Sequence, residues 1–341
     1  MPPLRNDGSA PMKAMVWTAY GPPEEVLRVQ EVEKPSPGVG EVLVRVHAAS
    51  INSWDWDLFT ARYSLIRGRR PDPKYRILGC DVSGVVEATG QNAHRFKPGD
   101  EVFGDTSSFK WGGFAEYLCA NEAAFALKSP KMSFAEAASL PQAAGLALQA
   151  LRDKGMIKAG QNMLVNGGGG GVGTFAIQIA KHHSARVTAV DRAEKLDAMR
   201  SLGADRVMDY GKEDFTRGGQ RYDLILDVVA TRSIFDYKRA LAPNGRGVLL
   251  GGELGKLFQA LFFGSWMLGS RKLKLLLYRQ NPADLETIRE MFEKGILRPV
   301  IDRCYPLDRT AEAFRYFAGG TFKGKIVVTV REPVAAGAVP A

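Results

Sequence analysis

Short runs of alternating or mostly apolar residues, separated by turns rich in glycine and proline, fill the first third of the chain. The runs are MKAMVWTAYG, LRVQEVEKPSPGVG, EVLVRVHAASIN, CDVSGVVEATG, GDEVFGD and FAEYLCA. Successive side chains of a strand point to opposite faces, and glycine and proline mark the turns between strands. The pattern from Met12 to about Leu127 therefore predicts a β-rich domain.

The pattern becomes helical at SFAEAASLPQAAGLALQALRDKG, which begins at Ser133. Glu136 follows Ser133 by three residues, which is the spacing of a capping box, so we expect a helix to begin here. This change of period predicts a domain boundary near residues 130 to 138.

From Gln161 onward, apolar strand patterns alternate with helical ones. The strand patterns are NMLVNG, ARVTAVD, RVMDY, YDLILDVV and GVLLGG, and the helical ones are GTFAIQIAKHH, RAEKLDAMRSLG and TRSIFDYKRAL. Nearly continuous apolar strands separated by helices indicate a doubly wound α/β domain, in which a parallel sheet is covered on both faces. Near the end, RPVIDRCYPL and KGKIVVTV again predict strands, so we expect the chain to return to its first domain.

The segment NGGGGGVG, at 166–173, follows the apolar strand pattern NMLV and opens the helical pattern TFAIQIAK. Gly168, Gly170 and Gly173 fill the motif G-x-G-x-x-G in the strand–turn–helix context that it requires. The first glycine permits a tight turn, the second lets the backbone approach a pyrophosphate, and the third allows close packing of helix on strand. The segment predicts a dinucleotide site, the alternative being a glycine-rich turn without a ligand.

A dinucleotide site of this kind places an acidic residue about 20 positions after the loop, where it bonds the ribose hydroxyls. Asp191, at the end of ARVTAVD, fits that place and favours NAD(H), because its carboxylate would repel a 2′-phosphate. Arg192 and Lys195 follow at once and could instead bind that phosphate. Asp191 could also be the N-cap of the next helix, so NAD(H) and NADP(H) both stay open.

The composition of the 341 residues, 45% hydrophobic and 24% charged, is that of a globular chain with room for two domains. A net charge of +9 suits anionic partners. The basic residues are scattered, however, without the basic and aromatic repeats of nucleic-acid modules, so a phosphate-bearing cofactor explains the charge and no nucleic acid is expected. The densest basic stretch, ARYSLIRGRRPDPKYR, is interpreted as a solvated loop, with an acidic partner or a membrane surface as the alternative.

Three cysteines, Cys80, Cys119 and Cys304, are an odd number at wide spacings. This usage indicates reduced thiols and predicts a cytoplasmic protein. The first residues show no signal-peptide core. The segment LGKLFQALFFGSWMLG, at 254–269, is short for a membrane span and carries Lys256, so no integral membrane association is expected.

Taken together, these segments resemble the zinc-independent, quinone oxidoreductase-like branch of the medium-chain dehydrogenases/reductases, which includes bacterial NAD(P)-dependent alcohol dehydrogenases and plant enone reductases. The resemblance covers roughly residues 12 to 330. It rests on MKAMVWTAYGPPEEVLRVQEVEKPSPGVGEVLVRVHAASIN, GCDVSGVVEATG, FKPGDEVFG, the glycine loop, SLGADRVMDYGKEDF and KGKIVVTV.

The fold class that the resemblance implies is α/β, with a Rossmann doubly wound parallel sheet inserted into a GroES-like β-rich catalytic domain. It also implies a cofactor in the cleft between the domains and a homodimer formed through the Rossmann sheet. The expected division is a tail at 1–11, the first part of the catalytic domain at 12–138, the nucleotide-binding domain at 139–297, the return to the catalytic domain at 298–333, and a tail at 334–341.

The resemblance assigns cofactor contacts at positions that match the family motifs. Pyrophosphate contacts are expected from Gly168, Gly170, Gly171, Val172 and Gly173, adenosine contacts from Asp191, Arg192, Lys195 and Tyr210, nicotinamide contacts from Gly251 and Gly252, and an approach from the catalytic domain by Lys325. Tyr210 could equally be ordinary packing at the end of a strand.

Zinc-dependent relatives need a Cys, a His and a further Cys or acidic ligand at the active site. By the resemblance, Asn52 stands where the first cysteine would be and Cys80 where the histidine would be. The cysteine cluster of a structural zinc lobe does not occur between Glu87 and Glu116. No metal is therefore expected, although Cys80 with Asp81 could still recruit one.

Without zinc to polarise a carbonyl, conjugated acceptors become the better substrates, because their developing charge is delocalised onto oxygen. The sequence therefore predicts an NAD(P)H-dependent oxidoreductase that transfers hydride to a quinone or an α,β-unsaturated carbonyl, with a proton from solvent. Asn52, Trp54, Asp55 and Tyr63 are the candidate catalytic residues. Asp55 could instead cap the next turn, and the tryptophan could be core.

Two other functions stay open at this point. One is an NAD(P)-dependent alcohol or aldehyde dehydrogenase, and the other is a non-catalytic, cofactor-binding interaction protein. The apolar segment 254–269 is interpreted as a lid over the substrate, with a subunit contact or a buried helix as alternatives.

Overall fold

The computed structural model describes residues 11–60, 76–252 and 269–331. Its strands are β1 (Pro11–Trp17), β2 (Leu27–Glu33), β3 (Glu41–Ser50), β4 (Asp81–Thr89), β5 (Glu101–Asp105), β6 (Tyr117–Asn121), β7 (Phe125–Leu127), β8 (Asn162–Asn166), β9 (Arg186–Asp191), β10 (Arg206–Asp209), β11 (Tyr222–Asp227), β12 (Leu241–Leu249), β13 (Lys272–Leu275), β14 (Ile301–Pro306) and β15 (Lys325–Thr329). Its α-helices are α1 (Pro23–Val26), α2 (Ser53–Phe59), α3 (Phe134–Ala138), α4 (Pro141–Gln149), α5 (Gly171–His182), α6 (Leu196–Ser201), α7 (Ile234–Ala240), α8 (Pro282–Glu293) and α9 (Thr310–Gly319).

The β-rich part is a seven-stranded sheet and a two-stranded hairpin. The seven-stranded sheet has the order β14-β15-β3-β4-β5-β7, with β6 paired to β3. The last strands of the chain belong to this sheet, because β15 runs antiparallel to β3 with Val327 opposite Ser50. Residues more than 270 positions apart therefore meet in one sheet, and this sheet carries one half of the site described below.

The second sheet is the predicted doubly wound one. Its six strands lie in the order β10-β9-β8-β11-β12-β13, and every pairing is parallel. The central strands are buried on both faces, as their apolar runs predicted. The α/β fold class, with its parallel sheet beside a GroES-like domain, is confirmed.

The helical segment after Ser133 is divided into three pieces. Ser133 caps α3 through the predicted capping box with Glu136, whose backbone N–H donates to Ser133 Oγ at 3.2 Å. Proline has no N–H and fits the first turn of a helix, so Pro141 ends the first piece and begins α4. A π-helical turn, Ala150–Gly155, follows. The sequence pattern alone did not predict this division.

The three cysteines carry no disulfide; Cys80 and Cys119 are buried and Cys304 is exposed. No helix in the described ranges is both long enough and apolar enough to cross a bilayer. Tyr63, nearly all of the basic stretch and nearly all of the apolar segment 254–269 lie outside the described residues.

Candidate active site

The glycine loop joins β8 to α5 and has the close contacts that its motif implies. Gly173 packs so tightly that a Cβ there would lie 2.1 Å from the Gly167 carbonyl oxygen. Gly170 is the N-cap of α5, so the free N–H groups of the first helical turn follow it. The left-handed residue of the turn is Gly167, with φ of +86°. The loop thus has the backbone geometry that receives a pyrophosphate.

Two cavities border this loop and share the segment Val228–Thr231. The first, about 570 Å³, is lined among others by Trp54, Val172, Gly251, Gly252 and Tyr278. The second, about 430 Å³, is lined among others by Gly167, Gly170, Asp191, Lys195 and Tyr210. Because they share these lining residues, we describe them together as one cleft beside the glycine loop. Its glycines, apolar side chains and few polar groups are typical of a small-molecule site.

The buried carboxylate of Asp227 fixes the segment that the two cavities share. It accepts hydrogen bonds from the backbone N–H groups of Val229 and Ala230, at 2.9 and 2.6 Å. Asn166 Nδ2 and the Tyr237 hydroxyl also donate to it, at 2.9 and 2.8 Å. With its oxygens occupied in this way, Asp227 supports the wall of the cleft and does not face a ligand.

Asp191 ends β9 at the second cavity, where the motif predicted it, but its oxygens are already bonded. Gly169 N–H donates to Oδ2 and Arg192 N–H donates to Oδ1, both at 2.9 Å. Lys195 Nζ lies 3.5 Å from Oδ1, and both side chains are nearly buried. Asp191 therefore braces the glycine loop, and its charge is balanced by Lys195.

Basic and phenolic groups surround the same end of the cleft. Arg192 Nε donates to the Tyr210 hydroxyl at 2.8 Å, and Arg232 lines the second cavity. Lys195 Nζ lies 4.9 Å from the centre of the Phe322 ring, and Phe322 comes three residues before β15 of the catalytic sheet. Basic side chains thus gather at the end of the cleft where the sequence predicted the adenosine contacts.

At the other end of the glycine loop, five side chains form what we call the buried polar centre: Asn52, Cys80, Asp81, Gln142 and Lys325. Lys325 Nζ donates to Asn52 Oδ1 at 2.6 Å and lies 3.3 Å from Asp81 Oδ2. Asn52 Nδ2 donates to Asp81 Oδ2 at 3.0 Å, and the backbone N–H of Gln142 donates to Asp81 Oδ1 at 2.9 Å. The negative charge of Asp81, the one carboxylate of this centre, is thus balanced by the Lys325 ammonium, and its oxygens accept hydrogen bonds from amide groups.

The sulfur of Cys80 accepts hydrogen bonds from two amide groups of this centre. Asn52 Nδ2 lies 3.5 Å from Sγ and Gln142 Nε2 lies 3.4 Å from it. Burial raises the pKa of Cys80 well above its ordinary value, and the charges of Asp105 and Asp81 raise it further. Cys80 is therefore a neutral thiol and an acceptor in the network.

Cys80, Asp81 and Asp105 are the one set of His, Cys, Asp or Glu side chains in the described part of the chain whose donor atoms all lie within 4.8 Å of one another. Zinc would need the thiolate of Cys80 and free carboxylate oxygens. Here Cys80 Sγ is in contact with two amide groups, and the Lys325 ammonium lies 3.3 Å from Asp81 Oδ2. With amide donors and an ammonium group at these atoms, the donor set as placed does not fit a zinc ion.

Asp55, predicted as a candidate catalytic residue, instead holds the backbone. Its Oδ2 accepts from Asn52 N–H and its Oδ1 from Gly79 N–H, each at 2.8 Å, and it is fully buried. Burial is the main reason that the pKa of Asp55 rises to about 7. The capping alternative therefore describes Asp55 better than the catalytic one.

Of the other predicted site residues in the described part of the chain, some line the cleft and others pack behind its wall. Trp54, Val172, Gly251 and Gly252 line the first cavity, and Gly170, Asp191, Lys195 and Tyr210 line the second. Lys325 reaches the glycine loop from the catalytic sheet, since its Cδ lies 3.1 Å from the place of a Cβ on Gly171. Asn52 is nearly buried in the polar centre, so its amide is not free for a ligand.

Sequence reasoning missed Gln142, Asp105, Asp227 and Tyr278. Asp227 and Tyr278 had a usable signal, because each follows or ends a strand of a parallel sheet, where ligands bind. Gln142 had none, since only the packing of α4 on the catalytic sheet brings it to Cys80 and Asp81. Asp105 lies opposite Asp81 because β4 and β5 pair in antiparallel register, which the sequence pattern does not specify.

Comparison with known proteins agrees with this geometry. A family model described as the alcohol dehydrogenase GroES-like domain matches residues 38–131, and one described as zinc-binding dehydrogenase matches residues 202–328. The quinone-oxidoreductase QR1, chloroplastic, of Triphysaria versicolor is 33% identical over 327 residues, which are 93% of this chain and 98% of that protein.

A second relative is the NADPH-dependent alkenal/one oxidoreductase, chloroplastic, of Arabidopsis thaliana, with 31% identity over 94% of this chain and 81% of that protein. Among solved structures, the quinone oxidoreductase from Coxiella burnetii superimposes with a TM-score of 0.85 at 28% identity, covering 94% of this chain and all of that one. The likeness extends over both domains.

Proposed function

The chain belongs to the quinone oxidoreductase-like branch of the medium-chain dehydrogenase/reductase superfamily, and from that premise we propose that it reduces quinones or α,β-unsaturated carbonyls with NAD(P)H and without zinc. It is a nicotinamide-dependent oxidoreductase by descent. The proposal without zinc rests on the buried polar centre, where Lys325 Nζ and two amide groups take the places around Asp81 and Cys80 that a metal would need.

When bound in the cleft, the nicotinamide cofactor supplies the hydride. The residues of the chain provide position and exclude water: Val172, Leu250 and Trp54 are apolar walls of the first cavity. Gly252 keeps that wall close, because a Cβ there would lie 2.7 Å from the Val229 carbonyl oxygen. Asn52 and Lys325 act as positioning residues, since their polar atoms bond one another and Asp81.

We further propose that the adenosine end accepts the 2′-phosphate of NADPH. The sequence favoured NAD(H) because a free Asp191 carboxylate would repel that phosphate. In the structure the carboxylate is bonded to two backbone N–H groups and lies beside Lys195. Lys195 balances Asp191 and Arg232 Nη1 lies 3.2 Å from Asp214 Oδ2, so Arg192 adds a further positive charge, which favours a phosphate dianion.

The homodimer and the cytoplasmic location remain part of the proposal. β13 is an edge strand of the parallel sheet, and Leu277, just beyond it, is 72% exposed. A strand edge that has no partner among the described residues, with an apolar neighbour, is suited to pairing with a second copy. The cytoplasmic prediction rests on the cysteine usage alone.

The test is the oxidation of NADH and of NADPH, followed at 340 nm with a panel of quinones, enals, enones and simple ketones, each with and without a chelator. We expect turnover of the conjugated acceptors, little turnover of simple ketones, and no effect of the chelator. Loss of activity with chelator would contradict the zinc-free mechanism. Cofactor binding without turnover of any acceptor would contradict the enzymatic function.

A further inference from the structure

Tyr278 lies three residues beyond β13 and borders the first cavity. Its ring meets that of Trp54 edge to face, with ring centres 6.0 Å apart and planes at 70°. The two aromatic side chains therefore form one wall of the space in which a planar acceptor must bind.

A glycine in α4 makes room for the phenol. An alanine Cβ at Gly145 would lie 3.0 Å from the Tyr278 hydroxyl oxygen and 3.1 Å from a ring carbon. Glycine inside a helix costs about 0.5–1 kcal/mol relative to alanine. The residue that carries this cost, Gly145, is also the one whose missing side chain leaves space for the Tyr278 hydroxyl.

Behind the phenol lies the carboxyl of Asp105, the last residue of β5. Ser107 N–H donates to Oδ1 at 2.8 Å, but Oδ2 is buried and no donor among the described residues meets it with good hydrogen-bond geometry. Burial, then the charge of Asp81, raises the pKa of Asp105 to about 7, and contact with the Tyr278 hydroxyl lowers it. Burial and the neighbouring carboxylates raise the pKa of Tyr278, so the phenol keeps its proton.

We propose that Tyr278 is the catalytic residue that donates the proton to the reduced acceptor, and that Asp105 is the positioning residue that orients its hydroxyl. The inference rests on the proposed function and replaces solvent as the proton source.

The step balances as follows. Hydride from NAD(P)H would form a new C–H bond on a carbon of the acceptor as the donor C–H bond breaks and NAD(P)⁺ is left, and the electron pair of the conjugated system would move to the acceptor oxygen. The Tyr278 O–H bond breaks and a new O–H bond forms on that oxygen. The phenolate takes back a proton from the Asp105 carboxyl, which solvent reprotonates after the product leaves. Tyrosine is an established general acid, and such catalysis contributes about 10²–10⁴-fold.

Other donors near the first cavity are less suited. Lys325 and Asn52 are bound within the buried polar centre. Asp57 also lines the cavity and is the main rival.

The experiment compares the full-length wild type with Tyr278→Phe, which keeps the ring. We expect kcat/KM for an enone to fall at least about 100-fold, the solvent deuterium isotope effect on kcat to fall toward unity, and the Kd of NADPH to change less than twofold. Tyr20→Phe, a phenol packed on Trp17 away from the cleft, is the matched control and should not change these values.

A second readout does not depend on turnover. In the complex with NADP⁺, 4-nitrophenol imitates the oxyanion, and its absorbance reports its protonation. We expect its bound pKa to be about one unit higher in Tyr278→Phe than in wild type, since a lost hydrogen bond of about 1.4 kcal/mol shifts the pKa by one unit. Asp105→Asn and Gly145→Ala, which disturb the hydroxyl without removing it, should give intermediate shifts.

The outcomes separate this inference from the proposed function. A nitrophenol shift that depends on Tyr278 supports the donor even if the wild type reduces no acceptor, a result that contradicts only the proposed function. Unchanged nitrophenol pKa in Tyr278→Phe, failure of nitrophenol to bind, or a loss of the isotope effect in Asp57→Asn and not in Tyr278→Phe would each overturn the inference.

Discussion

The ammonium of Lys325 donates to the amide oxygen of Asn52 across 2.6 Å and so joins β15, near the end of the chain, to the start of α2. The same ammonium lies 3.3 Å from the buried Asp81 carboxylate. This contact holds the buried polar centre together, and its removal gives the first prediction.

We expect Lys325→Met to lower the free energy of unfolding by about 3–5 kcal/mol, because it leaves Asp81 as a buried charge without its counter-ion. Urea denaturation followed by circular dichroism measures the loss. Adding Asp81→Asn should recover part of it. Lys294→Met removes an exposed lysine from a surface pair and should cost less than about 1 kcal/mol. Equal losses in the two single variants would contradict the prediction.

Gly173→Ala tests the glycine loop. The new Cβ would collide with the backbone of Gly167 and Gly168, so we expect loss of more than about 2 kcal/mol of stability and loss of cofactor binding. The matched control is Gly319→Ala at the end of α9, where no atom lies within 4 Å of the new Cβ. The control should be neutral. Nicotinamide fluorescence with thermal unfolding measures both effects, and normal binding in Gly173→Ala would show that the loop does not hold a pyrophosphate.

Lys195→Met tests the cofactor preference. We expect the Kd of NADPH to rise at least about tenfold, which is 1.4 kcal/mol, with the Kd of NADH changing less than twofold. The physical reason is the lost cation next to the 2′-phosphate and the uncovered charge of Asp191. Lys212→Met, an exposed lysine after Tyr210, serves as the control. Equal weakening of both cofactors would mean that Lys195 supports the loop and not the phosphate.

His47 gives a prediction about acid. It is 8% exposed, neither ring nitrogen has a hydrogen-bond partner among the described residues, and its ring stacks on Phe134 at 4.1 Å. Burial, then the charges of Arg45 and Arg331, lowers the pKa of His47 in the folded state. The unfolded state therefore binds a proton first as the pH falls below about 6.5, and stability is lost from there down to the folded pKa.

His47→Phe keeps a stacked ring without the titration. We expect the free energy of unfolding of the variant to exceed that of wild type by an amount that grows below pH 6.5, by up to about 1.4 kcal/mol per pH unit. Urea denaturation at pH 5.5 and 7.5 measures the difference. His94→Phe, on an outer loop, is the control, and a gap that does not widen at pH 5.5 would contradict the account.

Leu277→Glu tests the dimer. A charge beside the free edge of β13 should oppose pairing with a second copy, so we expect sedimentation equilibrium to show a dimer in wild type and a weakened one in the variant. Met156→Glu, at another exposed apolar position, should leave the assembly unchanged. A monomeric wild type would refute the proposed dimer directly.

The sequence predicted the sheets well because strand burial depends on local pattern. The parallel strands read as apolar runs, and Ser133 with Glu136 marked a helix start that the structure has. The glycine loop was also visible, since its motif is local. Which glycine takes the positive φ was not visible, because five consecutive glycines leave the register of the turn undetermined; in the structure it is Gly167.

The polar contacts of the site were less predictable because they depend on distant segments. Asn52 and Asp55 were both predicted as candidate catalytic residues, with capping as the alternative for Asp55. In the structure Asn52 Oδ1 accepts from Lys325 and Asp55 Oδ1 accepts from Gly79 N–H. Tyr278 comes from a strand end, and Asp105 from another domain, so no local pattern links them. Residue spacing identifies the cofactor loop, but only packing shows which polar groups remain available.

The β15 contact also constrains how the protein can be made. Gly324 N–H donates to the Gly169 carbonyl oxygen at 2.9 Å, and the next residue, Lys325, belongs to the buried polar centre. During synthesis the earlier strands emerge from the ribosome first and can fold before these residues exist. Until then Asp81 lacks the Lys325 ammonium, and the glycine loop lacks its hydrogen bond from Gly324. A nascent or truncated polypeptide that ends before β15 would therefore be inactive, and chaperones and proteases would bind it readily.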